Sequence, residues 1–245
     1  TIPDSVTSIG NGAFSDCTSL TNITIPDSIT SIGNSAFFGC TSLKNITTPD
    51  SVTQISDFAF FNCTGLKNII IPNNVTSIGS GVFKGCTGLT NITIPDSVTF
   101  IGGIAFEGCT SLASITISNS VTSIGDEAFK NCTGLKSITI PGSVTSIGQR
   151  AFYNCTGLSS VTISNGVTTI DYDVFGACAD LISITIPDSV TFIDRGAFNG
   201  CNKLTEIRYN GTTEQWNAIE KESGWDLDTS NYTVHCTDGD IEKDN

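Results

Sequence analysis

Hydrophobic and polar positions alternate on a fixed beat along this chain. Leu20, Ile23 and Ile25 are apolar, while Thr21, Asn22 and Thr24 between them are polar. Around Ile23–Ile25 this alternation predicts a strand with one face turned inward. Pro26 follows; it lacks an N–H and fixes φ, so it ends the strand and turns the chain. Ile29 and Ile32 come next, then Gly33 as a second corner. Ala36, Phe37, Cys40 and Leu43 are spaced one, three and three residues apart, a stripe that predicts one or two helical turns. Strand, turn and helical return make one coil.

The coil recurs every 23 residues without insertion or deletion. All seven prolines share one phase, from Pro3 to Pro187, and nine of the ten cysteines share another, from Cys17 to Cys201. A Phe stands three residues before each of those cysteines and a Leu three residues after. Fixed-period self-similarity of this kind marks a solenoid. The apolar face of one coil is too small to outweigh the entropy of ordering it, so each coil needs its neighbours. Parallel strands stack about 4.8 Å apart, which gives nine coils a core roughly 45 Å long.

Written out, the repeat is L-x-x-I-x-I-P-x-x-V-x-x-I-G-x-x-A-F-x-x-C-x-x-L. It resembles the BspA-like leucine-rich repeat proteins from residue 1 to about residue 209. The stretches "YNGTTEQWNAIEKESGWD" and "YTVHCTDGD" resemble the closing segment of bacterial members. The resemblance implies an α/β solenoid, a right-handed horseshoe or gently curved superhelix. A parallel sheet would line its concave face and short helical turns its return side. It also implies a secreted or cell-surface protein of host-associated microbes, adhesin-like, with host matrix proteins among the partners of some relatives.

Charge refines the domain picture. Residues 1–209 read as nine repeats and 210–245 as a cap. Residues 205–245 hold 10 acidic and 3 basic side chains, a net of −7, whereas residues 1–204 hold 14 and 8, a net of −6. A terminal repeat must present a polar outer face, and the acidic segment reads as that solubilising end, with Trp216, Ile219 and Trp225 lying over the last core. The chain begins inside a repeat, so it is expected to be a piece of a longer protein. With a net charge of −13, nucleic acid is a poor partner. No apolar run reaches the roughly 18 residues of a membrane span. The expected state is a monomer.

The candidate chemistry is mostly periodic. The cysteine column reads as buried, reduced thiols acting as small hydrophobes. The alternative is disulfide pairing, for which Cys236, outside the column, would bridge Cys201 across the cap junction. No Cys-x-x-Cys or paired-His spacing points to a metal, and no cofactor is expected. The lone His235 is a poor base for a hydrolytic triad. Asp4, Asp27, Asp50, Asp96 and Asp188 occupy one turn slot and read as turn residues, with a calcium site across stacked turns as the alternative. Sequons at Asn22, Asn45, Asn91 and Asn210 fall out of the repeat.

The outward strand positions form a field of Asn, Ser and Thr, suited to strands and water. The departure from it is Lys44, Lys67 and Ile70, beside Asn45, Thr47, Asn68, Asn91 and Thr93. These eight residues are the candidate ligand-binding set, for a host matrix protein or a glycan. Phe38, Phe58 and Phe61 form a second cluster, either a contact site or packing between coils. Three functions compete. The first is an adhesin-like binding module, and the second a structural spacer presenting another domain. The third is an enzyme with paired carboxylates, which the periodic placement of the acids disfavours.

Overall fold

The computed structural model describes residues 2–243. It is a β-solenoid of about ten turns. Each turn contributes one strand to each of two parallel ladders. The longer ladder starts at Asn22–Thr24, Asn45–Thr47 and Asn68–Ile69 and runs to Glu206–Tyr209 and Thr233–His235. Its register follows the sequence period: Asn22 faces Asn45, and Ser160 faces Ser183. The shorter ladder is built of two-residue strands, from Ser8–Ile9 and Ser31–Ile32 to Phe192–Ile193 and Glu220–Lys221. The periodicity marked Ile9 and Ile32 as core residues but did not reveal that they belong to a second ladder.

The return side corrects the expectation of helical turns. Among the described residues the only helix is Thr213–Ala218, in the last turn. Elsewhere the return is a string of tight turns in which N–H groups alternate direction. Ala13, Ser15 and Cys17 donate within the coil, to Gly10, Gly12 and Phe14. Gly12, Phe14 and Asp16 donate to Asn34, Ala36 and Phe38 of the next coil, at 2.6 to 2.9 Å. Two left-handed residues per coil cause this. One column begins Gly12 (φ 62°), Ser35 (54°), Phe58 (57°) and Gly81 (60°). The other begins Asp16 (54°), Gly39 (67°), Asn62 (55°) and Gly85 (73°). A left-handed residue every fourth position forbids a right-handed helix. The outcome is a third ladder of turns.

The core lies between the three ladders. Phe37, Phe60, Phe83 and their equivalents are fully buried and stack ring on ring, with centroids 5.1–5.7 Å apart from Phe14 to Phe198. Each cysteine from Cys40 to Cys201 donates its thiol to the carbonyl of the Phe one coil back, at 3.0–3.2 Å. All ten cysteines are free, so Cys201 and Cys236 are not bridged. Burial pushes the thiols up, to about 11 at Cys40 and about 12 at Cys86.

The acidic segment continues the solenoid before closing it. Lys221 faces Ile193, an interval of 28 residues rather than 23. The extra length is taken up by the helix Thr213–Ala218, whose start is fixed by a reciprocal capping box between Thr212 and Gln215. It drives Trp216 and Ile219 into the core, both under 7% exposed. Half-buried Trp225 meets the last ring, Phe198, edge-on at 5.8 Å. The turn ladder persists through Phe198 N–H to Trp225 C=O at 2.7 Å. Asp240–Glu242 then pairs antiparallel to Thr233–His235 and covers the ladder's edge with acidic side chains.

Candidate functional site

All eight candidate residues are exposed. Asn45 and Asn68 are register partners on adjacent rungs, and the Lys67 N–H donates to the Lys44 carbonyl at 3.4 Å. Lys44 and Lys67 therefore stand side by side, and among the described residues neither has an ion-pair partner. Ile70 is 74% exposed. It stands in the outward strand column that Thr24, Thr47 and Thr93 hold in other coils, all of them exposed. Thr48 takes the buried slot held by Ile25 and Ile71, and its hydroxyl donates to the Ile70 carbonyl. The strand in that coil ends at Ile69. Asn68, Ile70, Asn91 and Thr93 share a groove of about 340 Å³ with Asn73 and Pro95. Lys44, Asn45 and Thr47 lie on the neighbouring rung and Lys67 beside Asn68, all outside it.

The aromatic cluster packs between coils. Phe38 and Phe61 stack at 4.7 Å with rings parallel, and Phe58 meets Phe61 edge-on at 6.0 Å. All three remain half-exposed. The Phe58 ring rests over Gly81, where a Cβ would come within 2.5 Å of it. Lys84 reaches over Phe61 at 5.9 Å and pairs with Glu107 at 2.7 Å.

The turns after four of the seven prolines are tied to the preceding coil by serine. The hydroxyls of Ser28, Ser51, Ser97 and Ser189 each donate to a carbonyl 22 residues earlier, at 2.6–2.7 Å. Among the described residues no three of His, Cys, Asp and Glu converge on a point that could hold a metal ion. His235 sits between carboxylates, with Nδ1 2.9 Å from Asp240 and Nε2 3.7 Å from Glu206. No described helix is long and apolar enough to cross a membrane.

The family of BspA type leucine rich repeat regions matches residues 1–113 and 101–219, in six copies. This chain belongs to the BspA-type leucine-rich repeat family. A leucine-rich repeat protein from Bacteroides ovatus is 30% identical, with 96% of this chain and 68% of that one covered, at a TM-score of 0.72. The T. pallidum leucine-rich repeat protein is 33% identical over 62% of this chain and 72% of its own, at 0.58. One from Eubacterium ventriosum, 23% identical over 91% and 80%, shares the fold at 0.51. No curated protein matches the sequence.

Within this BspA-type array, the return edge carries a set that the sequence reading passed over. Arg150 lies over the rings of Tyr172 and Tyr153, at 5.1 and 5.8 Å. Its Nε donates to Asp173 at 3.2 Å and its Nη2 to the Tyr172 hydroxyl at 3.4 Å. These two partners hold the guanidinium above its ordinary pKa. Asp173 is buried, 8% exposed. The signal was available: Glu127, Arg150 and Asp173 occupy one slot, and in-phase residues of this array are neighbours in space.

Proposed function

We propose that this chain is a non-catalytic binding module of a secreted or cell-surface protein, acting as a monomer. It engages a host matrix protein or a glycan through the long-strand face around Lys44 and Lys67. The observation that carries the reading is the pair of unpartnered lysines on adjacent rungs of a chain with net charge −13, beside an isoleucine left 74% exposed. A displayed apolar side chain next to unneutralised charge fits a recognition surface better than ladder filler. The absence of a catalytic role is supported by the single histidine, both of whose ring nitrogens face carboxylates. The test is binding of the purified chain to immobilised matrix proteins and glycans. Saturable binding weakened at least tenfold by Lys44→Glu with Lys67→Glu, and weakened by salt, supports it. Binding indifferent to both changes overturns it.

The second reading is a spacer that presents another domain and has no ligand of its own. The uniform field of Asn, Ser and Thr on most rungs favours it. Silence against every immobilised partner would leave the spacer ahead.

A further inference from the structure

The return edge near the C-terminal end holds a depression of about 610 Å³, which includes Tyr172, Arg195, Asn199, Glu222 and Leu227 in its lining. Its floor is backbone: Gly196 and Gly224 have φ of 73° and 78°, and the Gly196 N–H donates to the Gly224 carbonyl at 3.1 Å. A Cβ at Gly196 would fall 2.1 Å from Asp173 Oδ1, so only glycine fits against that carboxylate. One wall is built at a cost. Arg150 and Asp173 hold left-handed backbone, φ 56° and 53°, in a slot that three other coils fill with glycine and four with non-glycine residues, and Asp173, which lines the depression, is also buried. Strain of this sort persists only where the surrounding structure over-determines it, and it gathers at functional sites. Here it locks the Tyr172 ring beneath a guanidinium at the rim.

The remaining rim groups are unused. Among the described residues, the side chains of Arg195, Asn199 and Glu222 have no hydrogen-bonding or ion-pair partner, and Leu227 is 57% exposed. The lining carries charges of both signs, Arg195 against Asp173 and Glu222, so it does not favour a strongly charged ligand of either sign. A fixed aromatic ring, planar donors and acceptors of both kinds, and an open polar cavity with mixed charge together describe a site for an uncharged polyhydroxylated ring. A size of several hundred Å³ accommodates one or two such rings.

We propose that this depression binds a neutral saccharide, stacked on Tyr172 and hydrogen-bonded by Arg195, Asn199 and Glu222. The proposal rests on the reading of the chain as a binding module but not on the lysine patch, which lies on the long-strand face. The experiment is calorimetry of the whole chain against glucose, galactose, mannose, N-acetylglucosamine and their di- to tetrasaccharides, with sulfated and uronic-acid oligomers as a second arm. At least one neutral sugar is expected to bind saturably. That affinity should fall at least tenfold in Arg195→Ala and in Tyr172→Ala, and stay unchanged in Lys44→Glu with Lys67→Glu. Arg195 and Glu222 are exposed, so Arg195→Ala and Glu222→Ala keep the thermal midpoint and remain interpretable if Tyr172→Ala misfolds. Silence across the neutral arm, binding confined to the acidic arm, or binding untouched by Arg195→Ala and Glu222→Ala each overturns the proposal. Loss of matrix or glycan binding on changing the lysines, with this site silent, would leave the module standing without its saccharide site.

Discussion

The long-strand face repeats Asn22, Asn45, Asn68 and Asn91 on successive rungs, whereas one backbone position of the return edge carries Ser35, Phe58, Gly81, Ile104, Glu127, Arg150 and Asp173. The strand position has ordinary extended backbone and would accept many residues, yet its side chains hardly vary. The return position is left-handed in every one of those seven coils, a conformation that costs non-glycine residues about 1–2 kcal/mol, and there the side chains differ most. Uniformity on the tolerant face fits a solvated ladder whose departures include Lys44, Lys67 and Ile70, and further along Lys136 and Ile182. Variety on the demanding edge means that individual side chains are kept against the backbone's preference.

High pH should break the comparison most severely, because both faces rest on the same thiol column. The eight cysteines from Cys40 to Cys201 are fully buried and protonated in the fold. Cys40 is raised to about 11, and Cys86 and Cys201 to about 12. The unfolded chain loses these protons near pH 9 while the folded chain keeps them, so stability is complete below pH 9 and falls as pH rises toward the folded values. At about 1 kcal/mol per thiol and pH unit, the loss reaches on the order of 10 kcal/mol by pH 10, comparable to the stability of a whole domain. Circular dichroism against pH should show cooperative unfolding between pH 9 and 11. Replacing Cys109 and Cys132 by alanine should move the midpoint up. An array still folded at pH 11 would contradict the buried-thiol account.

The next largest effect should fall on the return edge alone. Gly196→Val places a β-branched residue at φ 73° with its Cβ against Asp173, and is expected to cost about 2–3 kcal/mol in urea unfolding. It should also weaken sugar binding by displacing the Asp173 carboxylate from the wall of the depression. The opposite substitution, Ser35→Gly at φ 54°, should add about 0.5–1 kcal/mol, because it relieves strain and removes only a hydroxyl. If both changes left the urea midpoint unmoved, the left-handed column would not be the costly position argued here.

The strand face and the core columns were legible in the sequence because their period is 23 throughout and side chains alternate in and out. The return path was half legible. One left-handed column is almost all Gly, Asn and Asp, as at Gly39, Asn62, Gly85, Gly108, Asn131 and Asn154, and it announces itself. The other holds Phe58, Ile104 and Arg150, residues that give no such signal, so an apolar stripe of helical spacing was read as helix. Two-residue strands such as Ser31–Ile32 are shorter than any periodicity can register. The capping box Thr212 to Gln215 was readable and marks the helix that closes the stack. The Lys44–Lys67 set stood out as a candidate because it departs from a field of Asn, Ser and Thr. The Tyr172 depression was not, because its edge has no uniform column to depart from.

The smallest expected effect is the sharpest check on the strand face. Asn45→Ser exchanges one ladder residue for the one that fills this slot at Ser114, Ser137 and Ser160. Asn45 is exposed, and among the described residues its only side-chain bond to the ladder, Nδ2 to Asn22 Oδ1, is long at 3.4 Å. A bond near the geometric limit between solvated groups contributes little, so the urea midpoint should shift by less than about 0.5 kcal/mol. The outcome bears on function as well as stability. If Asn45→Ser leaves stability alone yet weakens binding of a partner that also needs Lys44 and Lys67, the asparagine belongs to the recognition surface. If it costs more than about 1 kcal/mol, the asparagine ladder holds the coils together. The strand face would then be filler under structural constraint, and the spacer reading would gain at the expense of the lysine patch.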